Sequence, residues 1–137
     1  MSAPTQNRRT TKTRSRAVAV LATPLIAAAI WLIAVQLLGI DLVVERWDTS
    51  ATMTIGLPSV IVTALIAAVA GWATLAILER TTTHARIAWT IAATAVLVLS
   101  LGTPVTAATT TSAGVVLIIL HLAVGGTLIP TLARSAR

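Results

Sequence analysis

The charged residues of this 137-residue chain leave three long gaps, and no other feature constrains its fold so tightly. No Asp, Glu, Lys or Arg falls between Arg16 and Asp41, between Asp48 and Glu79, or between Arg86 and Arg134, intervals of 24, 30 and 47 residues. A helix crosses a bilayer with about 20 predominantly apolar residues. The first two gaps each fit one crossing, and the third fits two with a turn between them. Only 10% of the residues are charged, against about 25% in soluble domains. The expected fold is therefore all-α and integral to a membrane: a bundle of four transmembrane helices.

The spans are predicted at about 17–38, 58–78, 85–101 and 104–132, within a membrane domain covering 17–133. The stretch 1–16 is polar and basic without apolar periodicity, and reads as a disordered cytoplasmic tail. Residues 134–137 form a short cytoplasmic C-terminus. The basic flank and apolar run at the start imitate a secretory signal, but a signal's apolar core is only about 7–15 residues long. The first span is read as uncleaved, with Pro24 in its first two turns. Between the first two spans, "DLVVERW" and "ATMTI" are β-prone runs joined by Asp48-Thr49-Ser50, which suits either a short outer β-hairpin or an irregular loop. Pro58 opens the second span. "LGTP" at 101–104 spells a tight turn, with Gly102 ending the third span and Thr103-Pro104 starting the fourth.

Orientation follows from the basic residues. Arg8, Arg9, Lys12, Arg14 and Arg16, then Arg80 and Arg86, then Arg134 and Arg137 all fall on one side of a four-span arrangement. The other side holds only Arg46, beside Asp41, Glu45 and Asp48. Basic residues stay cytoplasmic. The expected location is a bacterial plasma membrane, multi-pass, with both termini cytoplasmic. The basic tail is expected to meet anionic lipid headgroups rather than nucleic acid.

One polar group interrupts the last apolar run. His121 shares a face of the fourth span with Thr106, Thr110, Gly114 and Gly125, by steps of about four. Thr63, Ala67, Gly71 and Thr74 make a similar stripe on the second span, and Thr90 and Thr94 on the third. These define a candidate interior polar site of His121, Thr110, Thr63, Thr74 and Thr94. Three readings stay open for the histidine: a structural hydrogen bond, contact with a ligand or partner, and proton relay. Glu79, at the inner end of the second span, can pair with Arg80, Arg86 or the tail, and Glu79–Arg86 is the candidate interface ion pair. Asp41 and Glu45 read as solvated. Trp31 and Trp72 are expected to fill volume, Trp47 to touch the outer interface and Trp89 to anchor at the inner one. Ala67/Gly71 has the small-xxx-small spacing of helix contacts.

Several chemistries are unsupported. The chain has no cysteine, which excludes disulfides, thiolate catalysis and Cys-ligated metals. It shows no Ser-His-Asp set, no metal-ligand spacing and no phosphate-cradling loop. No catalytic residue, cofactor or metal is assigned. The acidic residue on which small four-helix multidrug exporters depend in their first helix is missing.

The segments "GWATLAILER", "LSLGTPVTAATTTSAG" and "LHLAVGGTLIP" resemble a family of small four-helix membrane proteins of high-GC Gram-positive bacteria, domain of unknown function 6069. The resemblance covers roughly Arg16 to Leu132. It implies an integral four-helix protein and supplies no catalytic residues. The functional expectation is a non-enzymatic structural or accessory subunit that associates with itself or a membrane protein partner through small-residue helix faces. The alternative is a small transporter, channel or lipophile-binding protein using the Thr/His-lined interior.

Overall fold

A computed structural model describes residues 5–136, with side chains described from Thr13 onward. Helix α1 (Thr5–Leu32) runs on through one π-helical turn, Ile33–Leu37. A hairpin of β1 (Val43–Glu45) and β2 (Thr52–Thr54) follows, then α2 (Leu57–Thr81), α3 (Ala85–Ser100), α4 (Gly102–Ala107) and α5 (Thr111–Ser135). Four stretches are long and apolar enough to cross a membrane: Thr13–Leu37, Leu57–Thr81, Ala85–Ala107 and Thr111–Ser135.

Two predicted boundaries are corrected. The basic segment is not a disordered tail in the described residues, because α1 is helical from Thr5. No Gly or Pro separates Thr5 from Ala22, and extending a helix that already exists avoids the costly nucleation step. Pro24 consequently lies deep inside α1, where it is buried. The side chains of Arg8, Arg9 and Lys12, on which the expected lipid contact falls, lie outside the described ones.

The second correction concerns the last turn. The chain stays helical through "LGTP": Leu101 has φ −67° and ψ −17°, and Gly39 is the only glycine at positive φ among the described residues. The turn comes later, at Ala108–Thr110. Thr110 takes extended angles and its hydroxyl accepts the Ala113 N–H at 3.2 Å, the usual N-cap bond. The fourth long apolar helix is thus 25 residues, about 37 Å long, and Thr106 belongs to α4 rather than to its face.

The β-hairpin is present, in the register Val43↔Thr54, Val44↔Met53 and Glu45↔Thr52. An isolated two-stranded hairpin is marginal, and this one is tied down on three sides. Gly39, at φ +64°, lets the Ile40 N–H reach back to the Ala34 carbonyl at 3.0 Å, closing the preceding helix in a conformation that glycine adopts without steric cost. The Trp31 indole donates to the Ile55 carbonyl at 2.9 Å. Thr109 gives both its N–H (3.1 Å) and its hydroxyl (3.0 Å) to the Val43 carbonyl, beside a bridge between Val44 and Ala108. The hairpin and the Ala108–Thr110 turn therefore close one end of the bundle together. Trp47, at its tip, is 98% exposed.

Helix α1 packs along both α2 and α5, while α3 leans on α5 and α2 from outside. The inward line of α1 is Arg16, Ala19, Thr23, Ala27 and Ala34, spaced by three, four or seven as one helical face requires. Helix α2 buries Val60, Ala64, Ala68 and Leu75. One apolar cluster at the hairpin end joins Ala27, Ala34 and Leu42 to Leu117 and Leu120. A second, towards the termini, joins Val20, Ala68 and Leu75 to Trp89, Leu128 and Leu132. Alanine at the contact lines lets helix backbones approach closely, and that close approach is the source of packing energy between apolar helices in lipid. Many other large apolar side chains point outward: Leu25 is 70% and Leu99 78% exposed.

Trp89 departs from its expected role. It is 5% exposed, inside the second cluster rather than at an interface. Its ring lies over Gly71, where an added Cβ would come within 3.0 Å of it, and its indole N–H donates to the Ile129 carbonyl at 3.3 Å. Trp72 packs against the same cluster, as a volume-filling residue should.

Candidate functional site

Charge enters the bundle at the end opposite the hairpin, where α1, α2 and α5 converge. Arg16 is the last basic residue before the apolar run of α1, and it lies one helical turn before Val20 on the buried face. Its guanidinium therefore points inward. Nη1 and Nη2 donate to the two carboxylate oxygens of Glu79 at 3.0 and 2.8 Å. Nε donates to the Ser135 hydroxyl, and Nη2 also to the Ser135 carbonyl, both at 2.9 Å. The Ser135 hydroxyl in turn donates to the Leu132 carbonyl at 2.8 Å. The charged side chains are only 10% and 13% exposed.

Glu79 thus pairs with Arg16, not with the expected Arg86, which is exposed on the first turn of α3. A planar guanidinium matches a carboxylate in a fork geometry, with charge-assisted bonds roughly twice as strong as neutral ones. Here the fork also spans to a third helix. Arg16 belongs to the tail that the sequence offers Glu79 beside Arg80 and Arg86, whereas Ser135 is not among the predicted site residues. A usable signal existed for the pair: Glu79 is the only acidic residue outside the Asp41–Asp48 segment. A carboxylate at the end of an apolar helix needs a cation, and Arg16 is the basic residue nearest the apolar run.

The predicted interior site around His121 is not assembled. Thr63, Thr74, Thr94 and Thr110 are all exposed. The Thr74 hydroxyl donates to the Ala70 carbonyl of its own helix at 2.8 Å, and Thr110 caps α5. A threonine that bonds its own i−4 carbonyl needs no partner across the bundle, so hydroxyls on these helices do not have to face inward. His121 is half-buried, and its Nδ1 lies 2.7 Å from the Leu117 carbonyl one turn earlier. Since a carbonyl only accepts, Nδ1 carries the proton. No fully buried side-chain nitrogen or oxygen among the described residues lacks a partner.

Near the hairpin end, a groove of about 360 Å³ opens at the break between α4 and α5. Pro104, Ala108, Thr110, Gly114 and Ile118 are among its lining residues, and His121 is not.

On the hairpin, Asp48 is bonded to Arg46 through both carboxylate oxygens, at 3.0 and 2.9 Å. This guanidinium holds the Asp48 carboxyl below its ordinary value. A carboxyl depressed in the folded chain contributes stability above its unfolded pKa, and that contribution is lost as pH falls through the folded pKa. The expected result is an Asp48 titration midpoint, followed by carboxyl NMR, that lies lower in the wild type than in Arg46→Ala. Equal midpoints in the two proteins would rule out the pairing in solution.

Compared with known proteins, residues 7–137 match the model of a family of unknown function, DUF6069. No curated protein and no solved structure matches the chain.

Proposed function

The chain belongs to the family of unknown function DUF6069, and on that premise we propose that it is a non-enzymatic accessory subunit of a bacterial plasma membrane, associating through a small-residue face of α2. Membrane residence is supported by the four apolar spans and by the many large apolar side chains turned outward, such as Leu25, Ile66, Ile91 and Leu99. Both termini are assigned to the cytoplasm. The ends of α1, α2 and α5 that carry Arg16, Arg80 and Arg134 lie together, and basic residues favour that side. The basic start of α1 then faces anionic headgroups.

One observation carries the association. Thr63, Ala67, Ala70 and Thr74 are all exposed on α2, while the chain packs itself through the neighbouring line of Val60, Ala64 and Ala68. The helix therefore has a second face of small residues that its own bundle leaves uncovered. Such faces allow another helix to come close in a membrane. Inside, polar groups bind helix to helix, Arg16 to Glu79 and Ser135 and Trp89 to Ile129, so these groups are used within the bundle and the α2 face is free to meet a partner.

The absence of native cysteine makes the test direct. Single cysteines at Ala67 and Ala70, and at Val98 and Leu99 on α3 for comparison, are oxidised mildly in native membranes. Self-association predicts disulfide dimers at the α2 positions and few at the α3 positions. Association with another protein predicts no dimer, but one discrete adduct from a photo-crosslinker at Ala67. Equal dimer yields on both helices, with no discrete adduct, would show that the α2 face meets only lipid.

A further inference from the structure

We propose that His121 and the adjoining groove form a site for a hydroxyl-bearing lipophile, such as a phenol, quinol or cyclic alcohol, whose O–H is donated to His121 Nε2. The inference rests on the membrane placement above, and not on the association through α2. In the neutral ring, the bond from Nδ1 to the Leu117 carbonyl leaves Nε2 as a bare acceptor. No described residue supplies it with a donor. Because no sealed nitrogen lacks a partner, this atom is reachable from outside the chain.

His121 is the eleventh of the 25 residues of α5, about 15 Å from the start of that helix. Ile119 and Leu122, on either side of it, are 47% and 48% exposed. At that depth water is absent and an acceptor must find its donor in the bilayer or in protein.

The groove indicates which donor fits. Gly114 and Ile118 line it, and His121 continues their face of α5 three residues beyond Ile118. A helical side chain leans towards the N-terminus of its helix, and the bond to Leu117 shows that this ring does so. It therefore leans towards the groove. The volume, about 360 Å³, lies in the range of small-molecule pockets, roughly 300–1,000 Å³. A second helix fits less well here, since the exposed face of α5 carries Val115, Ile119 and Leu122 instead of the small residues that allow close approach.

The probe is 1-naphthol, with 1-methoxynaphthalene as a ligand of nearly the same shape that cannot donate. The full chain, labelled with ¹⁵N-histidine, is placed in lipid nanodiscs at one copy per disc, with His84 as the internal control. The expected result is a saturable shift of the His121 Nε2 resonance with naphthol and none with the methyl ether. The shift is lost in Val115→Trp, which fills the groove from an exposed position, while the probe-free spectrum is retained. Equal responses to both probes, or no response to either, overturn the proposal. An Nε2 that is already hydrogen-bonded in two-copy discs but free in one-copy discs assigns the donor to a second chain and also overturns it. If an aqueous paramagnetic reagent reaches His121, the membrane placement itself fails.

Discussion

Glu79→Gln is expected to destabilise the bundle by about 3–5 kcal/mol, because it leaves the Arg16 guanidinium buried without its counter-charge. Arg16→Met should also destabilise the bundle, since it removes the bonds that tie α1 to Glu79 of α2 and to Ser135 of α5. The double variant Arg16→Met/Glu79→Leu should recover much of either loss, since apolar replacement of a whole buried ion pair is often close to neutral. Arg16→Lys should not rescue. A lysine ammonium lacks the planar fork that reaches two carboxylate oxygens and Ser135 at once. Reversible unfolding in mixed micelles, compared across these four variants, measures the effects. Additive losses in the double variant would show that Arg16 and Glu79 are not coupled, contrary to their 2.8 Å contact.

Trp89→Ala is the other large effect, at about 3–5 kcal/mol for removing a buried aromatic side chain. The ring fills the space between α2 and α5 left by Gly71, against Leu132, and no smaller neighbour can take its place. Trp89→Phe should keep most of the packing and forfeit the bond to Ile129, at about 0.5–1.5 kcal/mol. The same unfolding assay separates the two terms. Trp89→Ala and Trp89→Phe losing equally would mean that the hydrogen bond, not the packing, holds α3 to the bundle.

These two positions show where sequence reasoning reached and where it stopped. The charge-free intervals delivered the number of membrane-length apolar helices and which of their ends lie together. Arg16 of α1 meets Glu79 of α2 and Ser135 of α5 at one end, and the hairpin meets the last turn at the other. The runs "DLVVERW" and "ATMTI" suit a hairpin or an irregular loop, and the structure has the hairpin, held by Thr109 bonds to Val43 that the sequence does not announce. The inward faces were misread. Ala67 was expected in a helix contact and is exposed, while Ala64 and Ala68 are buried. A shift of one residue turns a helix by about 100°. On helices that are apolar all round, the contrast between faces that would reveal the shift is missing. Trp89 and the four threonines were misplaced for the same reason. The "LGTP" turn failed differently: its residues suit a turn locally, but the helix continues to Ala107 and breaks where the hairpin offers hydrogen bonds.

Composition and charge spacing by themselves determined that this chain makes four apolar helices of at least membrane-spanning length and which ends carry the cations. Those properties depend only on local transfer energies and on the length needed to span apolar thickness. Tertiary structure alone decided that Arg16 crosses 119 residues to reach Ser135, that Glu79 chooses Arg16 over Arg86, and that the threonines expected around His121 face away from it. Such contacts depend on the rotation and register of each helix, and a nearly uniform apolar surface encodes these only through packing against its neighbours.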